Sequence, residues 1–306
     1  MTFTALLTTF ANNILPILLI GGAGFLIGKT LIVEPRTLGR VVFYLFSPLL
    51  ILNLLLKNEL NFQTAILTIA YTATVIVGTA ILAFLSGKLF QLDRPLLLVV
   101  ILTASFGNTG NYGLPLIKLA FGDNALTYAS LYFVTTTILF NTLGVVIASL
   151  GHMDLKSALL SLFKVPTVYA VVVAALLNVM DVNLPIPLNS AIEIAANGSI
   201  PVMLVLLGLE LSRVQWSHSF RALGLGVFIR LIVGPIVGLL LAIPFGLTAE
   251  ARQGTVLQTA MPAAVVNTVL ASEYQLEPSL VTAIVFVGTI LSPFTLTPLL
   301  VYLGGK

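Results

Sequence analysis

The sequence predicts an all-α polytopic membrane protein with ten transmembrane helices, arranged as two inverted repeats of five, in which helices four and nine are broken. Of the 306 residues, 58% are hydrophobic and only 8% are charged, whereas soluble domains carry about 25% charged residues. Ten apolar runs are long enough to cross a bilayer, which takes about 20 residues each. Two of these runs, each the fourth of its half, are interrupted by Gly, Pro and polar residues.

The ten spans fall into two halves joined by a short polar stretch. The first five lie at about 11–31, 37–56, 63–89, 94–120 and 124–150, and the other five at about 165–180, 187–211, 220–246, 251–272 and 278–303. Between them, Gly151 to Lys164 is typical of a short amphipathic linker at the membrane surface. Because each half has an odd number of spans, the second half enters the membrane from the opposite side, and any similarity between the halves must be an inverted repeat.

The Lys and Arg residues between the spans predict the orientation. Nine lie in the first, third, fifth and seventh connections, and four lie on the opposite side (Lys29, Arg36, Arg40, Lys88, Arg94, Lys156, Lys164, Arg213 and Arg221 against Lys57, Lys118, Arg252 and Lys306). Since positive residues collect on the cytoplasmic side, both termini are expected outside and the linker inside. The net charge of +3 is therefore interpreted as a signal of orientation, and no nucleic-acid partner is expected.

The interruption in span four is the main functional signal. Seven of the nine positions from 107 to 115 are Gly, Pro, Asn or Thr, and span nine carries a smaller interruption at Pro262, Asn267 and Thr268. Irregular backbone at membrane depth is tolerated only where protein or a watery cavity satisfies it, and paired interruptions indicate the binding site of a transporter. The alternative is a proline kink in which the asparagines only hold helices together.

The type of ligand follows from the helix ends that the breaks create. Half-helices beginning near Pro115 and Pro262 would direct unpaired amides, equivalent to about half a positive charge, toward the bilayer centre. This geometry suits a small organic anion such as a carboxylate, unless the asparagines only cap the broken backbone. The predicted substrate-binding residues are Asn108, Thr109, Gly110, Asn111, Gly113, Pro115, Pro262, Asn267 and Thr268.

Two ionisable residues lie inside predicted spans, where burial of a charge is costly. They are Glu193 in span seven and Arg230 in span eight. Arg230 could hold a substrate carboxylate or pair with Glu193, or its long side chain could reach the cytoplasmic surface. Both are candidate charge partners of the site.

The sequence argues against an enzyme, and neither catalytic residues, a metal site nor a cofactor is expected. It has no Cys, and both histidines, His152 and His218, fall in connections between spans. No His-Glu-x-x-His or Gly-x-Ser-x-Gly motif occurs. An anion channel and an ion-coupled symporter are the alternative functions, because broken helices also line pores. The paired inverted halves favour alternating access.

With both interruptions in view, the chain resembles the auxin efflux carrier family over nearly its whole length. The resemblance is carried by three segments, which are NTGNYGLPLIK from Asn108 to Lys118, FSPLL from Phe46 to Leu50, and the stretch from Pro262 through Glu273 and Tyr274 to Pro278, Phe286 and Pro293. It implies a bacterial-type permease of the cell (inner) membrane that moves a small organic anion. The chain lacks the large cytoplasmic loop of the long plant members, so regulation through that loop, and auxin itself as substrate, do not carry over.

The resemblance also implies a division of the spans. Residues 1–62 and 165–214, with helices one, two, six and seven, would form a scaffold, and residues 63–150 and 215–306 would form a transport domain in which helices four and nine cross at their breaks. Residues 151–164 would be the cytoplasmic linker. We expect an elevator-type movement of the transport domain in the lipid bilayer and a homodimer through the scaffold helices.

Overall fold

The computed structural model describes residues 2–57, 62–149, 165–247 and 249–305, and this part of the chain is all-helical. The predicted linker from Gly151 to Lys164 lies outside the described residues. In chain order the helices are α1 (Phe3–Thr30), α2 (Pro35–Lys57), α3 (Phe62–Leu89), α4 (Arg94–Ser105), α5 (Leu114–Phe121), α6 (Asp123–Ala148), α7 (Pro166–Val179), α8 (Ile186–Leu211), α9 (Phe220–Ala242), α10 (Ala249–Thr259), α11 (Asn267–Glu273) and α12 (Pro278–Tyr302).

Seven of these helices are long and apolar enough to cross a membrane, namely α1, α2, α3, α6, α8, α9 and α12. Two shorter apolar helices, α4 and α7, have 12 and 14 residues. Predicted spans four and nine each appear as two pieces, α4 with α5 and α10 with α11. The all-helical prediction is therefore confirmed for the described residues, and the two interruptions occur in the predicted spans.

The helix ends follow local sequence signals. The Thr2 hydroxyl accepts a hydrogen bond from the Ala5 amide at 3.3 Å, so α1 begins well before the predicted start at residue 11. Asp93 caps α4 in the same way, through the Leu96 amide at 3.3 Å. Gly122, with φ of +79°, separates α5 from α6 and allows the chain to reverse within a single residue.

Helices α1, α2, α7 and α8 pack together as one group. The backbones of α1 and α8 are in direct contact, because a Cβ atom on Gly208 would lie 1.9 Å from the Gly21 carbonyl oxygen and one on Gly24 would lie 2.3 Å from the Val205 carbonyl oxygen. Only glycine permits this approach. The group is thus held by close backbone packing.

The other helices surround the two breaks. Helices α3, α4, α6, α9, α10 and α12 contact one another, and the Tyr71 hydroxyl of α3 donates a 2.8 Å hydrogen bond to the Gly238 carbonyl of α9. Tyr71 therefore ties α3 to α9. The break of span four, with α5, contacts both α1 and α8, so it lies where the two groups of helices meet.

Candidate substrate site at the two helix breaks

The two interrupted segments cross and hydrogen-bond to each other through their backbones. Gly107 and Ala263 form an isolated antiparallel bridge. The Asn108 amide donates to the Pro262 carbonyl at 2.7 Å, and the Ala264 amide donates to the Phe106 carbonyl at 3.1 Å. Each break thereby satisfies backbone groups of the other, which is how an irregular segment can persist inside a membrane protein.

Asn108 caps the second half of span four. Its side-chain oxygen accepts from the Asn111 amide at 3.1 Å, and its carbonyl accepts from the Gly113 amide at 3.0 Å. The chain then makes a π-helical turn, Thr109–Gly113, and continues as α5. Pro115 is the second residue of α5 but the seventh of the helical segment that begins at Thr109, so this half-helix begins earlier than the predicted start near Pro115. The Asn108 side chain thus caps the broken backbone, as in the alternative to ligand binding that the sequence left open.

Asn267 joins the two breaks through its side chain. It is fully buried, and its Nδ2 donates to the Phe106 carbonyl at 2.9 Å and to the Ala264 carbonyl at 2.8 Å. Its Oδ1 is buried without a hydrogen-bond partner among the described residues. The next residue, Thr268, donates its hydroxyl to the Val265 carbonyl.

The second half of span nine begins later than predicted. Helix α11 starts at Asn267 and not near Pro262. The intervening residues are held by the crossing, since Pro262 and Ala264 supply backbone hydrogen bonds to span four. Pro262 thus lies within the extended part of the break.

Gln258 is a residue of the crossing that the sequence reasoning missed. It is fully buried in the last turn of α10, and its Nε2 donates to the Thr109 carbonyl at 3.0 Å. Its Oε1 has no hydrogen-bond partner among the described residues. A Cβ atom on Gly113 would lie 2.1 Å from that oxygen, so a larger residue at position 113 would collide with the Gln258 side chain. The sequence feature that could have identified Gln258 is a polar amide side chain four residues before Pro262, inside an apolar span.

Asn111 faces the neighbouring group of helices. Its side chain lies beside the carboxyl group of Glu210, which is one residue before the end of α8. Glu210 was also missed, because the predicted span seven ended at residue 211 and placed it at a membrane surface. Gly110 packs in the same region, where an added Cβ atom would lie 2.9 Å from the Phe133 ring.

Arg230 is buried between the two breaks and is only 4% exposed. Its Nε donates to the Met261 carbonyl at 2.6 Å, and its Nη2 donates to the Gln258 carbonyl at 3.2 Å. Its Nη1 donates to the Ala104 carbonyl at 2.9 Å and lies 3.4 Å from the Ser105 carbonyl. The guanidinium therefore ties the ends of α4 and α10 together and does not reach the membrane surface.

Glu193 does not pair with Arg230. Its carboxylate forms a salt bridge with Lys57 at 2.6 Å, and both side chains are 45% exposed. The pair connects α2 with α8, away from the breaks. The structure thus brings Arg230 to the predicted site and leaves Glu193 outside it.

The electrostatics of the crossing follow from the four half-helices. The carbonyl ends of α4 and α10 are met by the Arg230 guanidinium. The amide ends of the π-helical turn and of α11 lie on the other sides of the breaks. The amide ends carry partial positive charge, and the guanidinium neutralises the partial negative charge of the carbonyl ends.

Comparison with known proteins adds independent findings. A family model described as "Membrane transport protein" matches residues 9–155 and 152–300. The chain is similar to an "Uncharacterized transporter" of Methanothermobacter thermautotrophicus, at 25% identity over 261 residues covering 85% of this chain and 86% of that protein. It is also similar to "Uncharacterized transporter YfdV" of Escherichia coli K12, at 26% identity over 285 residues covering 88% and 90%, and to "Uncharacterized transporter MJ1031" of Methanocaldococcus jannaschii, at 26% identity over 276 residues covering 84% and 86%.

Proposed function

The chain belongs to the membrane transport protein family, which is the auxin efflux carrier family of the sequence resemblance, and from this premise we propose that it carries a small organic anion. The substrate class is a carboxylate, and the site is the crossing of the two breaks. The observation that carries the proposal is the antiparallel contact of Gly107 with Ala263. It brings two helix interruptions together in the middle of a multi-pass membrane protein, as in other secondary transporters.

The preference for a carboxylate is supported by the contact at Asn111. This side chain already lies beside a carboxyl group, that of Glu210. A substrate carboxylate offers the same oxygen atoms, so it can take the place of Glu210 at this amide. A hydrogen bond to a charged acceptor contributes about 1.5–3 kcal/mol. Asn111 would then fix the position of the anion, and the helix ends would supply the charge preference.

We further propose that the ten predicted spans form two inverted repeats. The seven long helices, the short α7 and the two broken pairs make up this number. The Lys and Arg residues between them support an orientation with both termini outside. The two interruptions, in spans four and nine, support the repeat because they occupy the same position in each half.

Transport would proceed by alternating access of the elevator type. The scaffold is the group α1, α2, α7 and α8, in which the backbones of α1 and α8 touch at Gly24 and Gly208. The remaining helices carry the site. The contact from Asn111 to Glu210 spans the boundary between the two groups. A movement of one group against the other would break and remake this contact. A homodimer through the scaffold helices is part of the same proposal.

The test is a binding screen with purified protein in detergent. Acetate, malonate, succinate and indole-3-acetate are the probes, and the readout is the thermal unfolding temperature as a function of ligand concentration. We expect saturable stabilisation by at least one carboxylate. Asn111→Ala should weaken its binding about 10- to 100-fold, which corresponds to the loss of one hydrogen bond to a charged group. Asn111→Asp should weaken it further, because a fixed negative charge repels the anion.

The matched control is Asn189, an exposed asparagine in the first turn of α8. Asn189→Ala and Asn189→Asp should leave the binding unchanged. Equal binding by wild type and Asn111→Asp would show that the anion site lies elsewhere. An anion channel is the second candidate function, and saturation of the transport rate with counterflow distinguishes the carrier from it.

A further inference from the structure

The carbonyl ends of two half-helices converge on a single side chain. Helix α4 ends at Ser105 and helix α10 at Thr259, and both ends are at the crossing. The Arg230 guanidinium donates to the Ala104 carbonyl of α4 at 2.9 Å, to the Gln258 carbonyl of α10 at 3.2 Å, and to the Met261 carbonyl, two residues after α10, at 2.6 Å. The fit is close, since a Cβ atom on Gly107 would lie 2.3 Å from Nη2.

The charges at this point balance. A helix carbonyl end is equivalent to roughly half a negative charge, so two of them match the single positive charge of the guanidinium. Backbone carbonyls of unwound segments and helix carbonyl ends are also the groups that coordinate Na⁺ in transporters with broken helices. Arginine keeps its charge at every physiological pH. The crossing therefore contains a permanent cation that is part of the chain.

We propose that Arg230 takes the position of a coupling Na⁺ ion, so that this carrier neither binds nor requires sodium at the crossing. The oxygen atoms that would coordinate a metal ion are occupied by the N–H groups of the guanidinium. The inference rests on the proposed function only in treating the crossing as the transport site. It concerns the cation that neutralises the two carbonyl ends, and carboxylate binding does not depend on whether that cation is arginine or sodium.

The experiment compares wild type, Arg230→Ala and Arg213→Ala as purified full-length proteins. Arg213 is the matched control, because it also donates to a backbone carbonyl, that of Val33 at 3.0 Å, but in an exposed position. Binding of radioactive ²²Na⁺ is measured by scintillation proximity. Thermal unfolding is measured in NaCl, in choline chloride of equal ionic strength, and in choline chloride with a few millimolar guanidinium chloride.

Wild type should show no saturable ²²Na⁺ binding and the same unfolding temperature in both salts. Arg230→Ala should unfold about 5–10 °C lower in choline chloride, since carbonyl groups are left unpaired. Na⁺ or guanidinium should restore part of this loss in a saturable manner. Arg213→Ala should behave as wild type in every solution.

Three results would overturn the inference. They are saturable ²²Na⁺ binding by wild type, an Arg230→Ala protein as stable as Arg213→Ala, or a folded Arg230→Ala protein that responds to neither cation. If Arg230→Ala does not fold, Arg230→Lys replaces it and should unfold at an intermediate temperature without a response to Na⁺, whereas a response would count against the inference. Sodium binding by wild type leaves carboxylate transport untouched, so the two proposals fail separately.

Discussion

Substituting Gly107 by alanine should damage the crossing through a single added methyl group. The new Cβ atom would lie 2.3 Å from Nη2, 2.6 Å from Cζ and 2.9 Å from Nε of Arg230. Ordinary van der Waals contact begins near 3.4 Å, so the guanidinium or the backbone must move by about 1 Å. Arg230 has no free space to use, because it is 4% exposed and holds carbonyl groups on both sides.

The size of the effect follows from the hydrogen bonds that such a movement breaks. A bond between a charged and a neutral group contributes about 1.5–3 kcal/mol. Loss of one or two of them destabilises the protein by about 2–5 kcal/mol, and the unfolding temperature should fall by roughly 3–8 °C. The assay is thermal unfolding of the purified protein in detergent.

The matched control is Gly224→Ala in α9, where an added Cβ atom meets nothing within 4 Å. Alanine is a better helix former than glycine, so this variant should be equal to wild type or more stable by up to about 1 kcal/mol. A double variant adds a second check. Once Arg230→Ala has removed the clash, adding Gly107→Ala should cost little more, because both changes act on one contact. A Gly107→Ala protein as stable as Gly224→Ala would refute the packing of Arg230 against the break.

Two further predictions concern the boundary between the helix groups and the orientation. Glu210→Ala should lower the carboxylate concentration for half-maximal binding severalfold, since a competing carboxyl group is removed from beside Asn111. Unchanged or weaker binding would count against the proposed displacement. The chain has no cysteine, so single cysteines can be labelled selectively. A cysteine in place of Lys57 should react with an impermeant thiol reagent added outside cells, and one in place of Lys88 should not. The reverse pattern would invert the proposed topology.

The sequence predicts the features that depend on local chemistry. Gly107, Asn108 and Pro115 mark the break in span four because each disfavours a continuous helix, and the helix indeed ends at Ser105. Membrane-length apolar runs likewise predict the long helices. These signals need no knowledge of which segments are neighbours.

The rest of the site depends on tertiary contacts that no local pattern encodes. Arg230 was recognised as costly to bury, but its acceptors are backbone carbonyls of α4 and α10, which every sequence contains. The late start of α11 results from the hydrogen bonds between the two breaks. Gln258 and Glu210 were missed for the same reason, because their importance comes from the partners that folding brings to them.

The most direct test of the account is counterflow in proteoliposomes. Vesicles containing the purified protein are loaded with the carboxylate that stabilises it most, and uptake of the same compound in labelled form is followed at low external concentration. The account predicts a transient accumulation above equilibrium, saturation with concentration, and loss of both in Asn111→Asp but not in Asn189→Asp. Uptake that rises linearly without counterflow, or none above protein-free vesicles for any carboxylate that binds, would contradict it.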